Sequence, residues 1–168
     1  MGTLVERLAA AQIGATFNQY RDPRLAERLA RYLESRADAE LFLVGEAAGY
    51  RGARISGIPF TSERQLTGAG PAEATATIVH RVLSDLGLEE KVLLWNVVPT
   101  HPGTRSSNRV PTRAEVRAGL PFARELGRGR RVLAVGRIAE AALDAPYVRH
   151  PSHGGASAFR ETLRACLS

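Results

Sequence analysis

The segment LFLVGEAAG, residues 41–49, gives the clearest indication of the fold. It opens with four apolar residues and no polar alternation, which is typical of a strand buried on both faces of a parallel sheet. The apolar run stops at Gly45, so we expect the strand to end there. Glu46, a glycine-rich loop and Phe60 follow. Because open α/β sheets bind ligands at the carboxyl ends of their strands, we expect a functional site here.

Three further apolar segments predict strands, at residues 92–98, 131–136 and 147–149. Helical patterns separate them, and the connections are too long for hairpins. The sequence therefore predicts one α/β domain over residues 1–168, a three-layer α/β/α fold with a central four-stranded parallel sheet. Residues 1–36 have helical patterns and no functional motif, and we expect them to act as scaffold.

Signals for individual helices are also present. Pro71 is expected to start a helix that Gly87 closes. Thr112 and Glu115 form a capping-box pattern, and the helix that they start is expected to break or kink near Pro121. His80 lies beside an apolar helix stripe and is interpreted as a solvated or core-edge histidine.

Asn96 is the one polar residue in the apolar run 92–98. A buried amide without partners costs about 1–3 kcal/mol, so it is expected either to bond a neighbouring loop or to face a ligand. The following segment, residues 99–109, lacks periodicity and contains hydroxyls and cations. This composition suits a loop along phosphates, although a plain surface loop would look similar.

Net charge points to an anionic partner. The formal charge is +6 and the pI about 10.4, values that favour nucleic acid. All but one of the 23 basic residues are arginine, so coding bias is the alternative explanation.

Cys166 is the only cysteine, which indicates a reducing compartment without disulfides. With no apolar run long enough to span a membrane, we expect a cytoplasmic protein that does not contact membranes.

Three motifs resemble those of the uracil-DNA glycosylase superfamily. The first is Gly-Glu-Ala-Ala-Gly at 45–49 with Gly-Ile-Pro-Phe at 57–60, similar to the branch that reads Gly-Glu-Ala-Pro-Gly. The second is the apolar strand ending at Asn96, and the third is His150-Pro151-Ser152. They occur in the family's order across residues 41–153.

The resemblance implies a monomeric DNA glycosylase that acts on uracil or a related deaminated base in single- or double-stranded DNA. Glu46 and His150 would be catalytic, with Glu46 stabilising the sugar cation and His150 the charge on the departing base. Gly45, Gly49, Phe60 and Asn96 would bind the base. We further expect a larger set of residues to contact the DNA backbone, namely Arg51, Arg54, Arg105, Arg109, Ser152 and His153.

Each role has an alternative. Glu46 could cap a helix or bond the glycine loop, Asn96 could be a satisfied core amide, and Phe60 a core aromatic. A metal site using His150, His153 and either Glu46 or His101 can also be imagined, but no metal is expected.

The chain departs from the family at several positions. One cysteine cannot hold the iron–sulfur cluster of the glutamate-bearing branch, so no cofactor is expected. Ala48 replaces the motif's proline, and Gly49 stands where a tyrosine commonly excludes the thymine methyl. His153-Gly154-Gly155 lacks the usual wedge leucine. These departures leave open an inactive or weak glycosylase-fold protein that binds nucleic acid. A third possible function is that of a nucleotide-binding Rossmann enzyme. It is the least favoured of the three, because residues 45–49 match neither the Rossmann glycine motif nor a P-loop.

Overall fold

The computed structural model describes residues 2–168 and has the expected three-layer α/β/α architecture. Its central sheet contains β1 (Leu41–Ala47), β2 (Val92–Val98), β5 (Arg131–Val135) and β6 (Tyr147–Val148). All pairings are parallel and the order is β2-β1-β5-β6. A separate antiparallel pair is formed by β3 (Gly103–Thr104) and β4 (Ser107–Asn108).

The described part of the chain has eight α-helices beside the strands: α1 (Leu4–Ala10), α2 (Pro23–Ser35), α3 (Ala53–Ser56), α4 (Glu63–Thr67), α5 (Ala74–Asp85), α6 (Arg113–Gly127), α7 (Arg137–Leu143) and α8 (Ala156–Leu167). A 3-10 turn covers Gln19–Arg21. Within residues 2–168, no helix is both long and apolar enough to cross a bilayer.

Alternate residues of β1 pack into two different cores. Phe42 and Val44 belong to a cluster with buried residues of α1, α2, α6 and α7, whereas Leu43 packs with those of α5 and α8. Successive strand residues point to opposite faces, so a strand covered on both sides must be apolar throughout. The continuous apolar run of β1 is therefore explained by burial on both faces.

Several predicted boundaries are corrected. β1 continues through Gly45 to Ala47, because the backbone pairing with β2 persists after the apolar run ends. α5 begins at Ala74, and Glu73 is its N-cap residue. α6 runs through Pro121 without a break. Pro121 is exposed, so the hydrogen bond that it cannot make lies on the solvent side of the helix.

The N-terminal region supports the loops at the carboxyl edge of the sheet. The Tyr20 hydroxyl donates to the Gly57 carbonyl at 2.9 Å, and Arg28 donates to the Ser56 carbonyl at 2.9 Å. Phe17 exchanges backbone hydrogen bonds with His101 at 2.8 and 2.9 Å. These contacts attach the N-terminal region to the edge loops, and the scaffold role of residues 1–36 stays a prediction.

Candidate active site

A cavity of about 360 Å³ lies at the carboxyl ends of the parallel strands. It brings together residues from β1, β2, the glycine loop, the start of α5 and the segment after β6. Its polar lining includes the three side chains that the motifs single out, Glu46, Asn96 and His150, and Phe60 forms part of its apolar wall.

Gly45 allows Phe60 and Asn96 to approach each other. Gly45 is paired with Asn96 across β1 and β2. A Cβ at Gly45 would lie 2.3 Å from Cζ of Phe60 and 2.9 Å from Oδ1 of Asn96, closer than van der Waals contact permits. The absence of a side chain at Gly45 therefore creates the space in which the ring and the amide meet.

Asn96 is 4% exposed, and no described residue hydrogen-bonds to its side-chain amide. The structure therefore contradicts the alternative of a satisfied core amide. Buried amides normally find partners, and this one lines the cavity. A ligand or water in the cavity would supply the missing bonds.

Phe60 has a left-handed backbone, with φ of 53°. Few residues other than glycine adopt this conformation, and bulky ones do so only where the surrounding structure imposes it. The side chain is 7% exposed and belongs to the α5–α8 core, as in the alternative of a core aromatic. Phe60 is both a core residue and a wall of the cavity.

The Glu46 carboxylate lines the cavity, and nothing among residues 2–168 donates a hydrogen bond to it. The alternatives of a helix cap or a loop-bonding side chain are therefore wrong. Burial raises the pKa of Glu46 above its ordinary value, because a partly desolvated carboxylate is less stable when ionised.

The hydrogen bonds of His150 define which ring nitrogen carries its proton. The Ser152 backbone N–H donates to Nδ1 at 3.1 Å, and the Ser152 hydroxyl lies 2.7 Å from the same atom. Since Nδ1 accepts, the proton of the neutral ring is on Nε2. Burial, followed by the charges of Arg149 and His153, lowers the pKa of His150 and favours this neutral form. Ser152, predicted to contact DNA, here orients His150.

Glu73 is a second carboxylate of the cavity, and sequence reasoning missed it. Its Oε2 lies 2.4 Å from where a Cβ of Gly49 would be, and 2.7 Å from that of Gly52. Burial raises its pKa, an effect that Arg51 partly offsets. The only signal in the sequence was an acidic residue near a helix start, which is commonplace.

An arginine groove adjoins the cavity, and we define it by Arg51, Arg54, Arg64 and Arg105. Arg51 lines both depressions. Arg54 donates to the carbonyls of Tyr50 at 2.9 Å and Arg105 at 3.0 Å, so it also joins the glycine loop to the β3–β4 hairpin. Arg64 was missed although α4, which carries it, has a capping-box pattern at Ser62 and Gln65 and a closing Gly68.

Arg109 also lines the cavity, but its guanidinium is engaged. It makes a bidentate pair with the buried Glu115, at 2.7 and 2.8 Å. Arg109 and the Thr112 N–H lower the pKa of Glu115 to about 2. Glu115 also accepts from the Ala15 N–H at 3.3 Å, and so links the N-terminal segment to α6.

The remaining two histidines of the metal hypothesis do not join His150. His153 is exposed, with a left-handed φ of 53°. His101 is fully buried, and its ring nitrogens lie 2.8 and 2.6 Å from the carbonyl oxygens of Ala48 and Thr104. Across residues 2–168, no three His, Cys, Asp or Glu side chains gather in a group that could hold a metal ion.

Fold and site together define an α/β protein with a ligand cavity at the carboxyl edge of a parallel sheet, lined by carboxylate, amide, imidazole and aromatic groups. The family model of the uracil DNA glycosylase superfamily matches residues 33–164. The chain therefore belongs to this superfamily, and membership supports a hydrolytic DNA glycosylase type of activity with DNA as the partner.

A solved structure shares the whole fold. The chain is similar to wild-type SMUG2 from Pedobacter heparinus, with a TM-score of 0.65 and 14% identity over 99% of this chain and 97% of the other. Identity this low establishes the fold alone. No curated protein sequence matches the chain.

Proposed function

We propose that this protein is a monofunctional DNA glycosylase that hydrolyses the N-glycosidic bond of uracil or a related deaminated base. One observation carries the proposal: Glu46, Asn96 and the protonated Nε2 of His150 line one cavity beside the Phe60 ring, and none of these side-chain groups is hydrogen-bonded at those atoms by another group of residues 2–168. Breaking this bond spreads positive charge over the sugar and negative charge over the base. The cavity contains a stabiliser for each.

His150 would stabilise the departing base. With Ser152 bonded to Nδ1, the Nε2–H is free to donate to O2 of the base. Its lowered pKa keeps the ring neutral near pH 7. A neutral donor gains strength as O2 becomes negative, so its effect falls mainly on the transition state.

Glu46 would stabilise the sugar cation and orient the attacking water. A lysine amine could replace water as the nucleophile, but no lysine lines the cavity. The only lysine in the sequence is Lys91. Lys91 immediately precedes β2, whereas the cavity lies at the carboxyl ends of the strands. Water is therefore the nucleophile in this proposal, which makes the enzyme monofunctional.

Asn96 and Phe60 would recognise a base turned out of the DNA stack. The Asn96 amide can accept from N3–H and donate to O4 of uracil, while the ring of Phe60 offers a stacking surface. Stacking on an aromatic side chain is typically worth about 1–3 kcal/mol. The base edge would thereby satisfy the buried amide.

The arginine groove would hold the adjacent phosphates. The groove shares Tyr50 and Arg51 with the cavity, and the whole chain carries a charge of +6. Since such contacts release counterions from DNA, affinity is expected to fall steeply with increasing salt. Arg51 and Arg105, which are exposed, are the main candidates.

The direct test uses single- and double-stranded oligonucleotides containing uracil, hypoxanthine or xanthine. Release of the base leaves an abasic site, which alkali cleaves into a shorter strand. The proposal expects such cleavage for at least one of these bases. Tight binding without base release would support the alternative of a binding protein with a glycosylase fold.

Two variants separate chemistry from base reading. His150→Ala should lower the single-turnover rate by about 10²–10³ and leave DNA binding nearly unchanged, because its bond strengthens in the transition state. Asn96→Asp should lose the preference for uracil, since a carboxylate cannot donate to O4 but can accept from the cytosine amine. A wild-type cleavage rate in His150→Ala would refute the catalytic role of His150. A wild-type preference for uracil in Asn96→Asp would refute the base-reading role of Asn96.

A further inference from the structure

The turn that contains Phe60 is held by a network of hydroxyl groups. Ser56 accepts from the Ile58 N–H at 3.0 Å, and its hydroxyl lies 2.6 Å from the Thr61 carbonyl. On the other side, the Thr61 hydroxyl donates to the Pro59 carbonyl at 3.0 Å. These bonds surround the one residue of the turn, Phe60, whose left-handed backbone is unfavourable for its side chain.

His80, on α5, reaches this turn from behind. Its Nε2 lies 2.9 Å from Oγ1 of Thr61. A hydroxyl has one proton, and that of Thr61 is already donated to Pro59. In this arrangement the Thr61 hydroxyl accepts from His80, which fits a neutral ring with its proton on Nε2.

The environment of His80 favours this arrangement. The side chain is half-buried and lines a second cavity, together with Thr61 and Leu66. Burial, the largest effect, lowers the pKa of His80 and favours the neutral ring, which still has one N–H to donate. The sequence-based interpretation as a solvated or core-edge histidine describes its exposure but not its contacts.

We propose that His80 is a positioning residue that holds the Phe60 turn in its left-handed conformation and so presents the ring to the base. The inference rests on the proposed function, in which the ring stacks on that base. Without the His80 donor, the Thr61 hydroxyl loses a partner, and the turn can relax toward right-handed conformations. The ring would then leave the position beside Gly45.

The test compares His80→Ala with His80→Gln, whose side-chain amide retains an N–H donor. Leu66→Ala is the matched control, because Leu66 lines the same second cavity and forms no hydrogen bond to the turn. Single-turnover cleavage is measured against enzyme concentration. His80→Ala should raise the half-saturating concentration about three- to tenfold and change the maximal rate less than about twofold, because stacking binds substrate and transition state alike. His80→Gln and Leu66→Ala should stay within about twofold of wild type.

A second measurement needs no DNA. Ring-labelled ¹³C phenylalanine gives signals from the five Phe residues, and Phe60 is assigned by the signal lost in Phe60→Leu. His80→Ala should shift or broaden this signal, while His80→Gln and Leu66→Ala should preserve it. If His80→Ala leaves the signal and the half-saturating concentration unchanged, the positioning role is wrong; equal impairment in all three variants would likewise refute it. If wild type cleaves no lesion, the proposed function fails, while the Phe60 signal still decides the role of His80.

Discussion

Glu46 and Glu73 are two carboxylates of one cavity with different origins. Glu46 lies at the end of β1, where the parallel pairing of the strands fixes its position, whereas Glu73 is the N-cap residue of α5. Burial raises the pKa of both. Only Glu73 has a nearby cation, Arg51, and only Glu73 rests against two glycines. Burial thus shifts both carboxyl pKa values in the same direction, while β1 positions Glu46 and the start of α5 positions Glu73. We therefore expect the two carboxylates to have different roles.

The largest expected difference is in the rate of cleavage. Glu46→Gln should lower the single-turnover rate by about 10²–10³, because it removes the charge that faces the sugar cation. Glu73→Gln should lower it less than about tenfold, since its carboxylate lies over the glycine loop. Both variants keep the side-chain volume, and DNA binding measured in parallel is the control. Equal losses would show that the two carboxylates act together.

A smaller difference is expected from the glycines beside each carboxylate. A Cβ at Gly45 would meet the Phe60 ring at 2.3 Å, so Gly45→Ala should lower the free energy of unfolding by about 1–3 kcal/mol and reduce cleavage at least tenfold. At Gly49 the nearest atom is the end of the flexible Glu73 side chain, at 2.4 Å, which can move away. Gly49→Ala should therefore cost less than about 1 kcal/mol.

Denaturant unfolding with a cleavage assay measures both effects. A large stability loss in Gly49→Ala would show that the Glu73 carboxylate is fixed by its surroundings. A tolerated Gly45→Ala would show that the Phe60 ring moves freely.

The smallest expected effect is in the pH dependence of stability. Because burial raises the native pKa of Glu73, the folded chain retains a proton at pH values where the unfolded chain has lost it. The contribution of Glu73 to stability therefore falls as pH rises from the ordinary carboxyl pKa through the raised native one. Glu73→Gln removes this fall, so its Tm should exceed that of wild type by a few degrees at pH 7 and converge with it in acid. Thermal scans across pH test this, and a Tm below that of wild type at pH 7 would contradict it.

Periodicity and motif order were enough to predict the sheet, its parallel pairing and the convergence of Glu46, Asn96 and His150. These features follow from local patterns, because a buried parallel strand must be apolar and its carboxyl end lies at a shared edge. Glu73 could not be found this way. The position of Glu73 depends on where α5 begins and on the space that Gly49 and Gly52 leave. Both are set by tertiary packing and not by a local sequence pattern.

Boundaries and side-chain partners were likewise beyond the sequence. β1 extends beyond its apolar run because β2 continues to pair with it, and no apolar pattern signals a backbone hydrogen bond. Arg109 looked like a phosphate ligand, but its pairing with Glu115 depends on the fold of the loop before α6. The role of His80 depends on its contact with the Thr61 hydroxyl, which no sequence pattern signals.

The central place of β1 in the sheet has a consequence during synthesis of the chain. Both of its neighbours, β2 and β5, come later in the sequence. A nascent β1 therefore has two unpaired edges until β2 has left the ribosome, and one until residue 135 has followed. Such segments invite aggregation and chaperone binding. A message cut short before residue 131 would yield a chain whose central strand lacks a partner on one side, and the cell would be expected to degrade it.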